Sequence, residues 1–431
     1  MPNAQLKLYS RALPVIVVIL FVLQLTWAFQ GWTILLVGFG GAWLIAYLWS
    51  RSLARGLRLT REMRFGWTQV GDVLEERFTL ANTAAAPALW VEVRDHSTLP
   101  GYVASRATGI GGDAENSWTV TGVCTRRGAY TLGPTTLRAG DPFGIYTVTL
   151  DLPARMNLMV MPPIVPLPKI EIASGGRAGA GRQRSDAFER TVNAAGVREY
   201  LPGDGQSQIH WRTTARRDAL FVRQLDRATS ADWWIVLDLD QRVQAGHGQD
   251  STLEHGVILA ASLADRGLRA KRQVGLLMCG DQGLEWMPPR DSPARRWEIL
   301  RALALVSPGR TPLANLLSQL NPSLKGVSSL IIITPAAQGD WIETVLPLRW
   351  RGIVPTVLLL DPGSFGGRGD VRATLAALAD LEIAHHVITR DVLDRPEMRP
   401  GRRGHWEWHV SPRGRAILKS KPRDMAWKVL T

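Results

Sequence analysis

The sequence predicts a multidomain protein with an N-terminal transmembrane helical hairpin, an all-β, sandwich-like domain and a doubly wound α/β domain. Two long apolar runs lie close together near the N-terminus, which is typical of membrane helices. Short segments of alternating polarity follow, as in half-buried strands, and patterns of buried strand and helix then alternate. With 431 residues, the chain is also too long for one ordinary domain.

Residues 1–56 are predicted to form the hairpin, with spans at 13–29 and 32–49. The first run has 17 residues and the second has 18 residues without a charge, whereas a span needs roughly 20 largely apolar residues. Because only Gln30 and Gly31 separate the runs, the two helices must be antiparallel. A cleaved signal peptide is the alternative for the first run, but a second apolar run follows at once and a small-residue cleavage pattern does not.

Basic residues predict the orientation of the hairpin. They flank both runs and do not occur in the connection; they are Lys7, Arg11, Arg51, Arg55, Arg58 and Arg61. The positive-inside rule therefore places both termini, and everything after the hairpin, in the cytoplasm. Cys124 and Cys279 are too few for a disulfide framework or a thiolate zinc site, which agrees with a reducing compartment.

The net charge predicts an anionic neighbour. The chain carries 51 Lys and Arg against 38 Asp and Glu, which gives +13. These basic residues cluster beside the hairpin and near the C-terminus, without an aromatic-rich nucleic-acid motif. We therefore expect the lipid bilayer as a partner, with anionic headgroups near residues 51–61, and do not expect nucleic acid.

Residues 57–165 are predicted to form the sandwich-like β domain. Residues 77–80, 89–93 and 118–121 alternate in polarity, and Gly, Pro and Asn residues mark turns between them. Several short strands at such spacing favour two packed antiparallel sheets. Residues 166–190, rich in Gly, Pro and Arg, are predicted to be a flexible linker.

The α/β domain is predicted within residues 191–390. Continuous apolar runs there are typical of parallel strands buried on both faces, and helical patterns separate them; the runs are 233–237, 274–278, 330–333 and 356–360. Ligands bind outside the carboxyl ends of such strands, where Asp238, Asp240 and Asp361 fall. Residues 391–431 are predicted to be a basic tail, with ten Lys and Arg against five acidic residues.

A segment before the α/β pattern is dense in arginine. Its characteristic residues are Arg198-Glu199-Tyr200, Gly203-Asp204, Ile209, Trp211-Arg212, Ala215-Arg216, Leu220 and Val222-Arg223. These residues resemble the signature of the domain-of-unknown-function 58 family, and residues 127–134 and 141–144 resemble the block upstream of it. The resemblance implies a von Willebrand factor A-like domain behind a β domain in a bacterial-type plasma membrane. It also implies frequent pairing with a MoxR-type AAA ATPase, and no established reaction.

The arginine-rich segment supplies candidates for partner or anion binding, because a guanidinium group suits carboxylates and phosphates. The candidates are Arg198, Asp204, Arg212, Arg216 and Arg223. The alternative is structural: the arginines hold the segment on the sheet through ion pairs with acidic residues such as Glu199, Asp204 and Asp226.

A degenerate ligand loop follows the first strand of the α/β pattern. Von Willebrand A domains that bind a divalent ion use Asp-x-Ser-x-Ser there, a threonine on a second loop and a later aspartate. Here Asp238, Asp240 and Thr311 match in part, but Arg242 replaces the second serine and the later aspartate is missing. We therefore expect no cofactor; Mg²⁺ is the ion that the loop would hold if a metal binds. Arg242 is expected to neutralise Asp238 or Asp240.

The function predicted from these features is that of a membrane-anchored adaptor facing the cytoplasm. It would work with a MoxR-type AAA ATPase in the assembly or maturation of other proteins, without catalytic residues. No nucleophile elbow, Walker loop or His-Glu-x-x-His helix occurs in the sequence. The alternatives are a metal-assisted hydrolase on the same loops, which predicts stabilisation by Mg²⁺ or Mn²⁺, and a basic nucleic-acid-binding membrane protein, which predicts salt-dependent binding to DNA or RNA.

Overall fold

A computed structural model describes much of the chain. The described residues are 3–64, 66–167, 170–173, 194–200, 209–217, 219–225, 232–290, 292–320, 328–351, 353–393, 408–410, 416–418 and 428–429. The chain divides into two compact units: Met1–Pro163 with Arg395–Thr431, and Ile164–Asp394. We refer to them as the β unit and the α/β unit.

Helices and strands follow in this order. The helices are α1 (Ala12–Thr26), α2 (Gln30–Gly56), α3 (Trp211–Arg217), α4 (Thr252–Arg269), α5 (Arg295–Leu305), α6 (Leu313–Leu320), α7 (Ile342–Trp350) and α8 (Arg372–Asp380). The first strands are β1 (Asn3–Leu8), β2 (Leu57–Met63), β3 (Trp67–Gln69), β4 (Val73–Asn82), β5 (Ala88–Asp95), β6 (Arg106–Ile110), β7 (Ala114–Val123), β8 (Gly128–Leu132), β9 (Thr135–Gly140), β10 (Tyr146–Leu152) and β11 (Met156–Met161). The remaining strands are β12 (Ala194–Glu199), β13 (Phe221–Leu225), β14 (Trp233–Leu237), β15 (Val274–Gly280), β16 (Gly283–Arg290), β17 (Ser329–Thr334), β18 (Val354–Leu360), β19 (Ala384–Ile388), β20 (Trp408–Val410), β21 (Ala416–Leu418) and β22 (Lys428–Val429).

Two helices occupy the apolar runs of the β unit. α2 is long and apolar enough to cross a membrane, whereas α1 has 15 residues, fewer than the roughly 20 that a span needs. The predicted second span ended at residue 49, but α2 continues to Gly56. It does so because Leu53 and Leu57 are buried in the core of the β region, which holds the end of the helix in place.

Largely antiparallel sheets make up the rest of the β unit, in agreement with the predicted β-rich region; the exception is β3, which pairs in parallel with β11. One sheet has the order β1-β10-β9-β5-β6 and another the order β22-β2-β4-β7; β3, β11 and β8 form a third. Leu80 of one sheet shares a buried cluster with Val91, Leu137 and Val148 of the other. The two larger sheets therefore bury their inner faces against each other.

Two strands of the β unit lie outside the residues predicted for the β domain. β1, assigned to the hairpin segment, pairs with β10 along its whole length, from Asn3 with Asp151 to Leu8 with Tyr146. β22, assigned to the basic tail, pairs with β2 through Lys428 and Met63. β22 has only two residues, and the partner of β1 lies far along the chain, so neither pairing is indicated by a local pattern.

The α/β unit contains a mixed sheet of order β16-β15-β14-β17-β18-β19. Its strands are parallel except β16, which is antiparallel at the edge. Helices α6, α7 and α8 pack on the face that carries Trp234 and Val236, whereas Gly256 of α4 lies on the opposite face against Leu237 and Ile333. The prediction of an α/β region is confirmed, and the strand order reverses between β14 and β17.

Part of the predicted linker belongs to this unit. The backbone N–H of Ala173 donates to Thr356 Oγ1 over 3.1 Å, and Ser329 Oγ donates to the carbonyl of Ala173 over 2.8 Å. Ala173 is therefore bonded to β17 and β18; most of the predicted linker lies outside the described residues.

Candidate functional site

A cavity of about 840 Å³ lies at the carboxyl ends of β14, β17 and β18. This is the point at which the strand order reverses, and open α/β sheets bind their ligands there. The charged side chains that line it are Asp238, Asp240, Arg242, Asp340, Arg368 and Asp370. Among the described residues, no Ser, Thr, Cys or His lines this cavity.

Asp238 follows directly on β14 and is 3% exposed. Its carboxylate accepts the hydroxyl of Thr334 at 2.6 Å and the backbone N–H of Asp240 at 3.1 Å. Burial, which these two hydrogen bonds only partly offset, raises the pKa of Asp238 to about 6. The site thus disfavours the ionised carboxylate, so Asp238 keeps its proton to a higher pH than an exposed aspartate does.

Asp240 forms an ion pair with Arg242. The guanidinium Nε of Arg242 lies 2.9 Å from Oδ1 of Asp240 and its Nη2 lies 2.5 Å from Oδ2, while the backbone N–H of Arg242 also donates to Oδ1. The bond from Arg242 holds the pKa of Asp240 below its usual value. The side chain of Arg242 is 61% exposed and that of Asp240 is 5% exposed, so the pair presents its cationic partner to solvent.

The Thr311 loop lies beside this pair. Gly309 bridges to Asp240: its N–H donates to Leu239 O over 2.8 Å, and its carbonyl accepts from Gln241 N over 2.9 Å. The hydroxyl of Thr311, however, is 3.1 Å from Cys279 Sγ. Thr311 itself does not line the cavity, although the residue after it does.

These donors do not fit a divalent metal. Both carboxylate oxygens of Asp240 are bonded to Arg242, and one oxygen of Asp238 accepts from the hydroxyl of Thr334. Within the ranges that the structure describes, no three His, Cys, Asp or Glu side chains group into a metal site. The guanidinium group of Arg242 already supplies a positive charge on this loop.

Several cavity residues were missed by the sequence reasoning. Gln244 fixes the loop, because its Nε2 donates to Asp238 O over 3.0 Å and its Oε1 accepts from Thr252 Oγ1 over 2.7 Å. Asp340 and Asp370 follow β17 and β18 at a greater distance along the chain. The rule that ligands bind at carboxyl ends could have found the two aspartates; no local pattern indicates Gln244.

The arginine-rich segment forms a separate local structure. β12 and β13 are antiparallel, with Arg198 opposite Val222 and Val197 opposite Arg223. Arg212 and Arg216 are exposed on α3, and neither lies among the described residues that line the cavity. The side chains of Arg198 and Arg223, and the whole of Asp204, fall outside the described residues. The anion-binding and structural interpretations of this segment both stay predictions.

Comparisons with solved structures give weak matches. The CARDB domain of a Pyrococcus furiosus protein, in complex with di-metal ions, matches with a TM-score of 0.18 and 14% identity, over 24% of this chain and 94% of that chain. Proximal thread matrix protein 1 of the mussel byssus matches with a TM-score of 0.26 and 15% identity, over 37% of this chain and 43% of that chain. Neither TM-score establishes a shared fold.

Sequence comparisons give a clearer result. Uncharacterized proteins of Mycobacterium bovis and Mycobacterium tuberculosis are 23% identical over 170 residues, which cover 38% of this chain. The matched region spans about half of each relative, 54% of its length. Residues 196–365 match the family model described as "Protein of unknown function DUF58". The resemblance to that family is therefore confirmed for the region that holds the arginine-rich segment, Asp238, Asp240 and Thr311.

Proposed function

We propose that the protein is a membrane-anchored adaptor whose α/β unit is a von Willebrand A-like domain that binds a partner protein without metal. One observation carries the proposal: the cavity at the strand-order reversal is lined by carboxylates and guanidinium groups, and its described lining contains no Ser, Thr, Cys, Lys or His. Such a surface can exchange hydrogen bonds and ion pairs with a polar peptide segment.

The anchor in this proposal is the pair α1 and α2, crossing the membrane as a hairpin with both ends in the cytoplasm. Arg51 and Arg55, in the last two turns of α2, would meet anionic headgroups. Arg61 does not belong to this set: it is 6% exposed and bonded to Glu76 and Asp95. Among the basic residues at 51–61 that the sequence predicts to contact lipid headgroups, Arg61 is therefore excluded.

A MoxR-type AAA ATPase is the partner that we propose, in the assembly or maturation of other proteins. The proposal rests on the family resemblance for the kind of partner and on the cavity for the place of contact. Arg242 offers such a partner an exposed cationic group, because its side chain is 61% exposed and Asp240 holds it at the edge of the cavity.

The test is co-purification from solubilised membranes with a co-expressed MoxR-type ATPase. Asp238→Ala and Arg242→Ala should each reduce recovery of the ATPase at least tenfold, because they remove the buried carboxylate and the exposed guanidinium. Asp391→Ala, at an exposed residue that does not line the cavity, is the matched control and should leave recovery unchanged. Equal recovery with all three variants would contradict the proposed contact.

A further inference from the structure

Large apolar side chains are exposed at one end of the five-stranded sheet. Tyr9, Leu89, Trp90 and Phe143 are between 41% and 74% exposed. Tyr9 follows β1, Leu89 and Trp90 begin β5, and Phe143 lies in the turn between β9 and β10. The register aligns these positions, because Leu8 pairs with Tyr146, Thr147 with Gly140 and Ala139 with Val91. We refer to these four residues as the apolar rim.

The opposite end of the same sheet is polar. Its strand ends pair Asn3 with Asp151, Asp151 with Thr136, and Thr136 with Arg94. Of the large apolar residues that the structure describes as exposed in this region, Val103 alone lies beyond that end.

The change in polarity is abrupt along β5. The ring of Trp90 covers Gly140, where an added Cβ would come within 2.8 Å of the indole. Two residues further on, Glu92 bonds to Arg94 Nε over 2.6 Å and lies 3.6 Å from Arg138. A surface that is apolar at one end and charged two residues later matches the gradient between lipid and water.

The apolar rim is also where the helices meet the sheet. The backbone N–H groups of Tyr9 and Ser10 both donate to Ile145 O, just before α1 begins. Trp43 Nε1 donates to the hydroxyl of Tyr146 over 2.7 Å, and Trp49 Nε1 donates to Pro87 O over 3.0 Å. From Trp43 onwards, one side of α2 is therefore covered by this end of the sheet.

Helix lengths then fix the depth of the rim. The part of α2 before Trp43 is about 20 Å long and α1 is about 22 Å long, whereas the hydrocarbon core of a bilayer is about 30 Å thick. Exposed apolar side chains on α2 continue to Leu48, and Gln30 to Leu48 would extend about 28 Å. α2 thus completes a span only with the stretch after Trp43, which contacts this end of the sheet, so this end of the sheet lies against the membrane.

We propose that the apolar rim is inserted in the membrane interface, so that the β unit contacts the bilayer directly and is not held there by its helices alone. This inference rests on the proposed membrane anchor. Tyr and Trp rings favour the headgroup region, where their apolar part meets lipid and their polar atoms meet water.

Spin-label accessibility tests the inference on the full chain in anionic liposomes. Nitroxide is attached to Phe143→Cys at the rim or to Asp151→Cys at the polar end, in a Cys279→Ser background; Cys124 is buried. β10 separates the two positions by roughly 20 Å. The ratio of collisions with oxygen to collisions with a water-soluble nickel chelate should be several-fold higher at position 143. Leu89→Cys is the second rim position, in case the Phe143 variant does not fold.

The outcomes separate the inference from the anchor. If the protein floats with liposomes but positions 143 and 151 are equally accessible to nickel, insertion of the apolar rim is contradicted and the membrane anchor is not. Loss of floatation would overturn both. Protection of position 143 that persists in lipid-free detergent and rises with protein concentration would assign the rim to a second copy of the chain, which also contradicts the inference.

Discussion

The two units each contain an arginine that bonds to carboxylates, and the two arrangements differ in access to solvent. In the β unit, Arg61 donates to Glu76 over 2.6 and 2.9 Å and to Asp95 over 2.6 Å, and all three side chains are at most 6% exposed. In the α/β unit, Arg242 bonds to Asp240 but is 61% exposed beside a cavity.

The difference indicates that a guanidinium and a carboxylate stabilise the fold in the β unit, whereas the same two groups are accessible to a ligand in the α/β unit. Around Arg61, further donors and acceptors complete the bonding: Ser97 lies 3.0 Å from Nη2, and the hydroxyl of Tyr102 bonds to Glu76. Such a closed set stabilises one arrangement of strands and offers nothing to a ligand. Arg242 keeps free faces towards solvent, so a partner carboxylate can approach it without unfolding anything.

The largest effect is expected from Glu76→Gln. It removes the buried carboxylate that accepts two hydrogen bonds from Arg61 and one from Tyr102, while Arg61 keeps Asp95 as a partner. Hydrogen bonds to a charged group contribute about 1.5–3 kcal/mol each, so the loss of several is expected to be the largest effect. Denaturant unfolding of the full chain in detergent, followed by circular dichroism, measures the loss. Glu92→Gln is the control, because Glu92 pairs with Arg94 at the half-exposed outer face and its loss should cost less than about 1 kcal/mol. Similar losses in both variants would contradict a special stabilising role for the buried set around Arg61.

The next effect is a pH-dependent gain of stability in Asp238→Asn. Because the pKa of Asp238 is raised to about 6 in the folded protein, the folded state holds this proton when the unfolded chain has already lost it. Folding therefore becomes less favourable as pH rises from about 4 to about 6, by about 3 kcal/mol in all. Asparagine removes this titration, so the variant should gain stability over the wild type across that window and keep the gain at higher pH.

Thermal unfolding between pH 4 and pH 8 checks this expectation. Asp340→Asn is the matched control, since Asp340 lines the same cavity but is exposed, and it should follow the wild-type curve. If Asp238→Asn is more stable than the wild type but recovers less ATPase in the co-purification, the buried carboxylate serves binding at a cost in stability. A constant offset between Asp238→Asn and the wild type at every pH would falsify the role of burial.

The cavity is easier to predict from the sequence than the buried set around Arg61, for a physical reason. Five consecutive apolar residues predict a strand buried on both faces, and the polar residue that follows must then lie at the edge of the sheet, as Asp238 does. Arg61, by contrast, belongs by charge and position to the basic residues that the sequence predicts to face lipid. In β2 it shares the alternation of Leu57, Leu59 and Met63, which predicts an inward side chain, but its partners lie 15 and 34 residues away. Long-range pairing of this kind, like that of β1 with β10, leaves no local pattern.

The smallest effect is expected from a substitution that converts the Asp240–Arg242 pair into a metal site. Arg242→Ser removes the guanidinium from Asp240 and supplies a hydroxyl oxygen where von Willebrand A domains have one, so Asp238, Asp240 and the new hydroxyl can converge on a hard cation. Mn²⁺ at about ten times its dissociation constant should then stabilise the variant by about 1.4 kcal/mol, measured as a thermal shift that EDTA reverses. The wild type should not shift, because Arg242 already neutralises Asp240. Equal shifts in both proteins would instead favour the metal-assisted hydrolase, since the ion would then bind in the presence of the arginine.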